Sequence, residues 1–232
     1  DGWKWSFENL PKYADGVRIV YTVEEMEVEG YTSTVIGYNV INVHIPEVIT
    51  VSGTKTWDDG NDQDGLRPES IVINLLADGE AVNSAEVKPD DAGNWSWTFE
   101  NLPKYKDHGT LIEYAVTEAA VEDYTTTYDG FNVTNSHTPE QTSVTVTKAW
   151  ADSNNQDGIR PNDITVVLVA NGEATEKTLV LSSGNSWTGI FTDLDKYAEG
   201  VEIVYTVSEI AIEGYETVIT GDQLNGYTIT NS

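Results

Sequence analysis

The chain has 232 residues, 39% of them hydrophobic with seven Trp and twelve Tyr, which is enough apolar material to bury cores and argues against disorder. Lys and Arg total 12 against 39 Asp and Glu, and a net charge of -27 repels nucleic-acid phosphates and anionic lipid headgroups. Cysteine is absent and no apolar run is long enough for a transmembrane helix, so neither disulfides nor a helical span brace the chain.

Read in chain order, the predicted elements are strands, because period-two alternation recurs and helical periodicity is nearly absent. Trp3, Trp5 and Phe7 alternate first. Val51, Gly53, Lys55 and Trp57 then share one face, as do Ile71, Ile73 and Leu75. The connection after them is Asp78-Gly79, a type I′ hairpin signal, since both turn residues must take positive φ. Trp95, Trp97 and Phe99 alternate on the next strand, followed by Ile112, Tyr114, Val116 and Glu118, and then by Phe131, Val133 and Asn135. The same order returns downstream, with Asn171-Gly172 at the hairpin.

The return is an internal repeat, and it decides the architecture. Phe7-Glu-Asn-Leu-Pro-Lys-Tyr13 recurs as Phe99-Glu-Asn-Leu-Pro-Lys-Tyr105 and, with changes, as Phe191-Thr-Asp-Leu-Asp-Lys-Tyr197. Tyr21-Thr-Val-Glu-Glu25 matches Tyr114-Ala-Val-Thr-Glu118 and Tyr205-Thr-Val-Ser-Glu209. Thr54-Lys-Thr-Trp57 matches Thr147-Lys-Ala-Trp150 and has no third member. The spacing suits one small antiparallel β-sandwich of roughly seven strands per repeat. Residues 48–137 and 141–232 are complete repeats, whereas residues 1–45 lack any counterpart of Val51 to Asp91. The joins, His44-Ile-Pro-Glu47 and His137-Thr-Pro-Glu140, are short and carry Pro, which favours stiff end-to-end connection.

The phase puts three polar residues inward in each complete repeat: Lys55, Glu118 and Asn135, then Lys148, Glu209 and Asn231. Burying an unpaired charge costs several kcal/mol, so these groups must be satisfied somehow. One reading is a buried Lys–Glu ion pair hydrogen-bonded to Asn, and another is that strand ends let the side chains reach solvent. A third is covalent. Burial frees a neutral Lys amine as nucleophile. A protonated Glu polarises the Asn side-chain carbonyl and shuttles protons, ammonia leaves, and an amide joins Lys to Asn. Trp57 and Trp150, two residues after each Lys, would exclude water.

Lys55-Thr-Trp57, Asn61-Asp-Gln-Asp-Gly-Leu-Arg-Pro68, Tyr114 to Glu118 and Val133-Thr-Asn135 together resemble the Cna B-type domains of Gram-positive surface adhesins and pilins. The third repeat carries the same set at Lys148-Ala-Trp150, Asn154 to Pro161, Tyr205 to Glu209 and Ile229 to Asn231. The resemblance implies an all-β array of inverse immunoglobulin-like sandwiches, display on the cell wall, and spontaneous Lys–Asn isopeptide bonds helped by an acid. It would assign the crosslinks to Lys55 with Asn135 and Lys148 with Asn231, and the assisting role to Glu118 and Glu209. Residues 1–45 depart from the pattern: Glu25 and Asn42 match, but no Lys precedes them in the required strand. Truncation explains this, as does a strand supplied by another molecule.

Other constellations are weaker. Asp59, Asn61 and Asp64 are conceivable calcium ligands, but their spacing does not fit an EF-hand and Asx turns explain the composition equally well. Arg67 and Arg160 read as structural ion-pair donors. The Trp3/Trp5 and Trp95/Trp97 pairs read as core packing ahead of a carbohydrate platform. No Ser/His/Asp set recurs, so hydrolase chemistry finds no support. The expected role is a stalk or spacer of an extracellular, wall-anchored protein, with no cofactor, its signal and anchor outside these residues, and neighbouring repeats as partners. The alternative is an adhesive module that binds a host matrix protein or glycan.

Overall fold

A computed structural model describes residues 2–232, with sixteen strands of five or more residues and two 3-10 turns. In chain order the strands are β1 (Thr32–Ile36), β2 (Asn39–Val43), β3 (Val48–Asp58), β4 (Ile71–Ala77), β5 (Glu80–Val87), β6 (Trp95–Pro103), β7 (Tyr114–Glu118) and β8 (Thr125–Asp129). They continue as β9 (Asn132–Ser136), β10 (Gln141–Trp150), β11 (Asp163–Ala170), β12 (Glu173–Ser182), β13 (Thr188–Asp195), β14 (Tyr205–Glu209), β15 (Thr217–Asp222) and β16 (Gly226–Asn231). Two compact units share them: one runs through Thr50 and includes Glu100–Ile112, the other comprises Val51–Phe99 and Glu113–Ser232.

Each complete repeat builds a four-stranded and a three-stranded sheet. In repeat two the orders are β8-β9-β3-β6 and β7-β4-β5, and in repeat three β13-β10-β16-β15 and β12-β11-β14. Alternation along β3 buries Val51, Gly53 and Lys55 and exposes the residues between them, so every second side chain enters the core. Ile71, Ile73 and Leu75 do the same on β4, and Trp95, Trp97 and Phe99 on β6. In repeat three the core gathers Val144, Val146, Ile164, Val166, Leu168, Leu181, Phe191 and Ile229, each worth about 1.5–3 kcal/mol if fully removed from water. Asp78 and Gly79 take φ of 51° and 87°, and Asn171 and Gly172 take 49° and 86°, as the hairpin signals require.

One ladder in each complete repeat is parallel. β9 runs parallel to β3, and β16 parallel to β10, so the closing strand of a repeat lies beside its opening strand. A two-residue turn cannot make such a pair, which is why the rest of the repeat loops between them.

Residues 2–45 behave differently. Only the hairpin β1–β2 and a two-residue ladder at Tyr13–Ala14 and Val17–Arg18 form there. The expectation that Trp3 and Trp5 pack in a core like Trp95 and Trp97 is corrected: Trp3 is 97% exposed and Phe7 70% exposed, and residues 3–7 form no strand. A strand needs a partner for its ladder and a sheet opposite for its apolar face, and residues 2–45 supply neither to this segment.

Candidate functional site

Lys55, Glu118 and Asn135 are brought together from three strands in two sheets. Val133 pairs with Lys55 and Asn135 with Trp57 in the parallel ladder, so Lys55 and Asn135 are diagonal neighbours on one face of the same sheet. Glu118 ends β7 in the facing sheet, opposite Ile73. The Lys55 and Glu118 side chains are 0% exposed, with Nζ 3.0 Å from Oε1 and donating to Oε2 at 3.3 Å. Asn135 is fully buried, and neither its Nδ2 nor its Oδ1 has a hydrogen-bond partner. An orphaned buried amide costs about 1–3 kcal/mol per group, so the arrangement is expensive as a purely non-covalent one.

Repeat three reproduces it. Lys148 Nζ lies 3.0 Å from Glu209 Oε1 with both side chains 0% exposed, though at an angle that makes it an ion contact rather than an aligned hydrogen bond. Asn231, opposite Trp150 in the ladder, is again fully buried with both amide atoms unpartnered. Burial pushes the Lys55 and Lys148 amines below their ordinary value, against the opposing close contact of the Glu118 and Glu209 carboxylates.

Aromatic rings close the sites. Lys55 Nζ sits 4.4 Å from the Trp57 ring centre and Lys148 Nζ 4.5 Å from that of Trp150. Trp57 is held edge-on by Trp95 and Tyr124, and Trp150 by Trp187 and Tyr215. Such contacts help to keep water from the amines, whose side chains are 0% exposed.

Sequence reasoning missed a fourth participant. Thr126 Oγ1 donates to Glu118 Oε2 at 3.2 Å, and Thr217 Oγ1 to Glu209 Oε2 at 2.9 Å. Each Thr stands directly across the ladder from the buried Asn. The run Thr125-Thr-Thr127 gives no hint which hydroxyl matters, and only the register against Asn135 selects Thr126.

In residues 2–45 the matching pair is present without a Lys. Asn42 Nδ2 donates to Glu25 Oε1 at 3.0 Å, and Glu25 Oε2 is buried with no partner. Ser33 faces Asn42 where Thr126 faces Asn135.

Asp59 of the oxygen-rich loop of repeat two is committed to protein donors. Asp59 accepts from Arg67 Nε at 2.7 Å and Nη2 at 2.6 Å, from Tyr124 Oη at 2.9 Å and from the Asp62 backbone. Asp152 pairs in the same way with Arg160 and Tyr215 in repeat three. Asp64 Oδ2 is likewise bonded to protein groups while its Oδ1 is buried without a hydrogen-bond partner, and no group of three or more His, Cys, Asp or Glu side chains that could hold a metal ion occurs among the described residues. Arg67 and Arg160 are ion-pair donors, as the sequence suggests.

Comparison with known proteins gives this geometry a family. The sequence model of the Cna protein B-type domain matches residues 1–43, 51–136 and 144–232. The chain belongs to the Cna protein B-type domain family. The collagen adhesin of Staphylococcus aureus is 44% identical over 238 residues, covering all of this chain and 20% of that protein. The chain thus spans about a fifth of the length of that relative. The crystal structure of two B repeat units (B1B2) of the Staphylococcus aureus collagen binding protein is 44% identical, with a TM-score of 0.49 over 96% of this chain and 61% of that one. A single B repeat unit (B1) of the same protein is 46% identical, with a TM-score of 0.39 over 80% of this chain and 98% of that one. The crystallised single B repeat unit comes from a collagen binding surface protein.

Proposed function

We propose that the two complete repeats are force-resisting spacer modules of a protein displayed outside the cell, each closed by an isopeptide bond, Lys55 to Asn135 and Lys148 to Asn231. The observation that carries this reading is the pair of fully buried Asn amides, each without a hydrogen-bond partner, beside a buried Lys–Glu contact. Within that contact a proton passes from the ammonium to the carboxylate, leaving a neutral amine and a neutral acid in a dry pocket. Lys55 Nζ attacks Asn135 Cγ while Glu118 donates to Oδ1. That donation transfers the proton to Oδ1, and the Glu118 carboxylate so formed takes a proton from the attacking nitrogen and passes it to Asn135 Nδ2. The Cγ–Nδ2 bond then breaks, ammonia leaves, and the Oδ1 proton returns to Glu118 as the carbonyl re-forms. Thr126 orients the carboxyl throughout. No cofactor enters and no external substrate is turned over.

The bond would tie opening strand to closing strand, so tension on the repeat falls on an amide rather than on ladder hydrogen bonds. It also closes nearly the whole repeat into one loop, which by analogy with a disulfide of similar span is worth about 4–5 kcal/mol through the unfolded state. For a cysteine-free chain this is a covalent staple that needs no oxidant.

Intact-mass measurement tests the proposal. The chain should weigh less than its sequence by two ammonia molecules, and peptide mapping should recover Lys55–Asn135 and Lys148–Asn231 crosslinks. Glu118→Gln should restore one ammonia, from repeat two alone. An unshifted mass in the unsubstituted chain overturns the crosslinks. A third ammonia loss overturns the reading of Glu25 and Asn42 as a pair lacking its amine.

A further inference from the structure

The loop after β3 holds more than its own fold together. Asp59 anchors it to Arg67 and Tyr124, and Asn61 and Asp62 take left-handed φ of 64° and 62°, so the backbone turns sharply there. What the turned loop presents is a set of partners for the join and for repeat three. Asp64 Oδ2 accepts the Glu140 backbone N–H at 2.8 Å and lies 2.8 Å from His137 Nε2. The Gln63 carbonyl accepts the Gly200 N–H at 3.0 Å.

Steric fit is equally tight. A Cβ on Gly65 would lie 2.5 Å from Gly200 Cα, and a Cβ on Gly200 would lie 3.0 Å from Gly65 Cα. A Cβ on Gly60 would come within 3.0 Å of the Pro139 ring. Two backbones therefore touch where neither residue has a side chain, and the proline of the join fills the remaining gap.

Glu140 is the hub. Its N–H goes to Asp64, its carbonyl accepts from the Lys196 N–H at 3.0 Å, and its carboxylate accepts from Lys196 Nζ at 2.6 Å. Lys196 begins the segment that turns at Gly200. The last residue of the join is thus fastened both to the loop of repeat two and to the Lys196 segment of repeat three. His137 is fixed from the other side, with Nδ1 3.0 Å from the Asp123 carbonyl and its ring 5.6 Å from Tyr124.

We propose that this loop, centred on Asp64, is a docking socket for the following repeat, and that it holds repeats two and three in one fixed orientation. The partner it fits is a B-type repeat that enters with Pro-Glu and carries Gly in the turn after its Lys-Tyr pair. Repeat three carries a loop of the same form: Asn154, Asn155 and Gly158 take φ of 61°, 60° and 69°, Asp152 is anchored by Arg160 and Tyr215, and Asp157 stands where Asp64 stands. The socket is therefore a repeated feature of the module, and it owes nothing to the crosslink chemistry.

The full 232-residue chain lends itself to the test, because it has no native cysteine. Spin labels on Val82→Cys and Val180→Cys, both exposed strand positions in repeats two and three, report the distance between repeats by pulsed dipolar spectroscopy. The unsubstituted joint should give one narrow distance distribution. Asp64→Ala should widen it about twofold or more, since free relative motion is the default for domains without a fixed interface. His137→Phe keeps a ring against Tyr124 but removes the contact to Asp64, and should widen it as well. Circular dichroism and thermal melting check that each variant folds. A broad distribution in the unsubstituted joint overturns the socket, and so does a width that neither variant changes.

Discussion

At the residue scale, the buried charges sort into two kinds. Lys55 and Glu118 lie fully out of water and face each other, with Thr126 as the one further donor to the carboxylate, whereas Asp59 and Arg67 form a two-pronged pair with a hydrogen-bonded rim. The second kind stores stability in a protonation state. Burial pushes the Asp59 carboxyl up, but hydrogen bonds from Arg67, the Asp62 backbone and Tyr124 outweigh it and bring the value from 3.8 down to about 2. A folded-state value below the unfolded one means the contribution is fully present above 3.8 and is lost as pH falls through about 2. Urea midpoints measured between about pH 5 and about pH 2 should fall on acidification, and Arg67→Met should flatten that slope in repeat two. An unchanged slope in Arg67→Met would remove the pair from the account.

At the scale of elements, the two complete repeats solve one packing problem in opposite ways. In repeat two the opening strand has Gly53, and Trp97 on β6 fills the space. In repeat three the opening strand has Val146, its ladder partner is Gly189, and Leu179 and Leu181 crowd the glycine, with Leu181 only 2.8 Å from where a Cβ would be. Bulk has moved from one strand to its neighbour while the core stays full, as dense packing demands. Gly53→Ala puts a methyl against the Phe131 carbonyl and 2.7 Å from the Trp97 ring. Backbone cannot yield cheaply there, so repeat two should lose about 1–3 kcal/mol. Calorimetry should show its transition falling by roughly 4–8 °C per kcal/mol while that of repeat three stays in place. A silent Gly53→Ala would mean that the strand relaxes around the methyl.

At the scale of the whole molecule, a net charge of -27 sits on 232 residues with only 12 cations, several of them already paired within the fold. The remaining carboxylates repel one another more in the compact chain than in the unfolded one. Added salt screens that repulsion, and the Debye length falls from about 30 Å at 0.01 M to about 8 Å at 0.15 M. The melting temperature should therefore rise over that range, measured at fixed pH in sodium chloride. A fall would show that the paired cations at Glu47, Glu140 and Asp59 matter more than the general field.

The sequence by itself determined the repeat, the strand alternation, the two type I′ hairpins and the inward phase of Lys55, Glu118 and Asn135, because each of these is local or periodic and needs no partner to be read. It also carried the family likeness, through motifs that recur at fixed spacing. Tertiary structure alone decided which groups meet. The parallel pairing of β9 with β3 set Asn135 diagonal to Lys55, and the register of β8 picked Thr126 from three consecutive threonines. The exposure of Trp3 and Phe7 and the commitment of Asp64 to Glu140 and His137 were equally out of reach. A strand pattern says which way a side chain points, but not what the neighbouring strand or the facing sheet will put in front of it, and that is fixed only when distant parts of the chain are packed together.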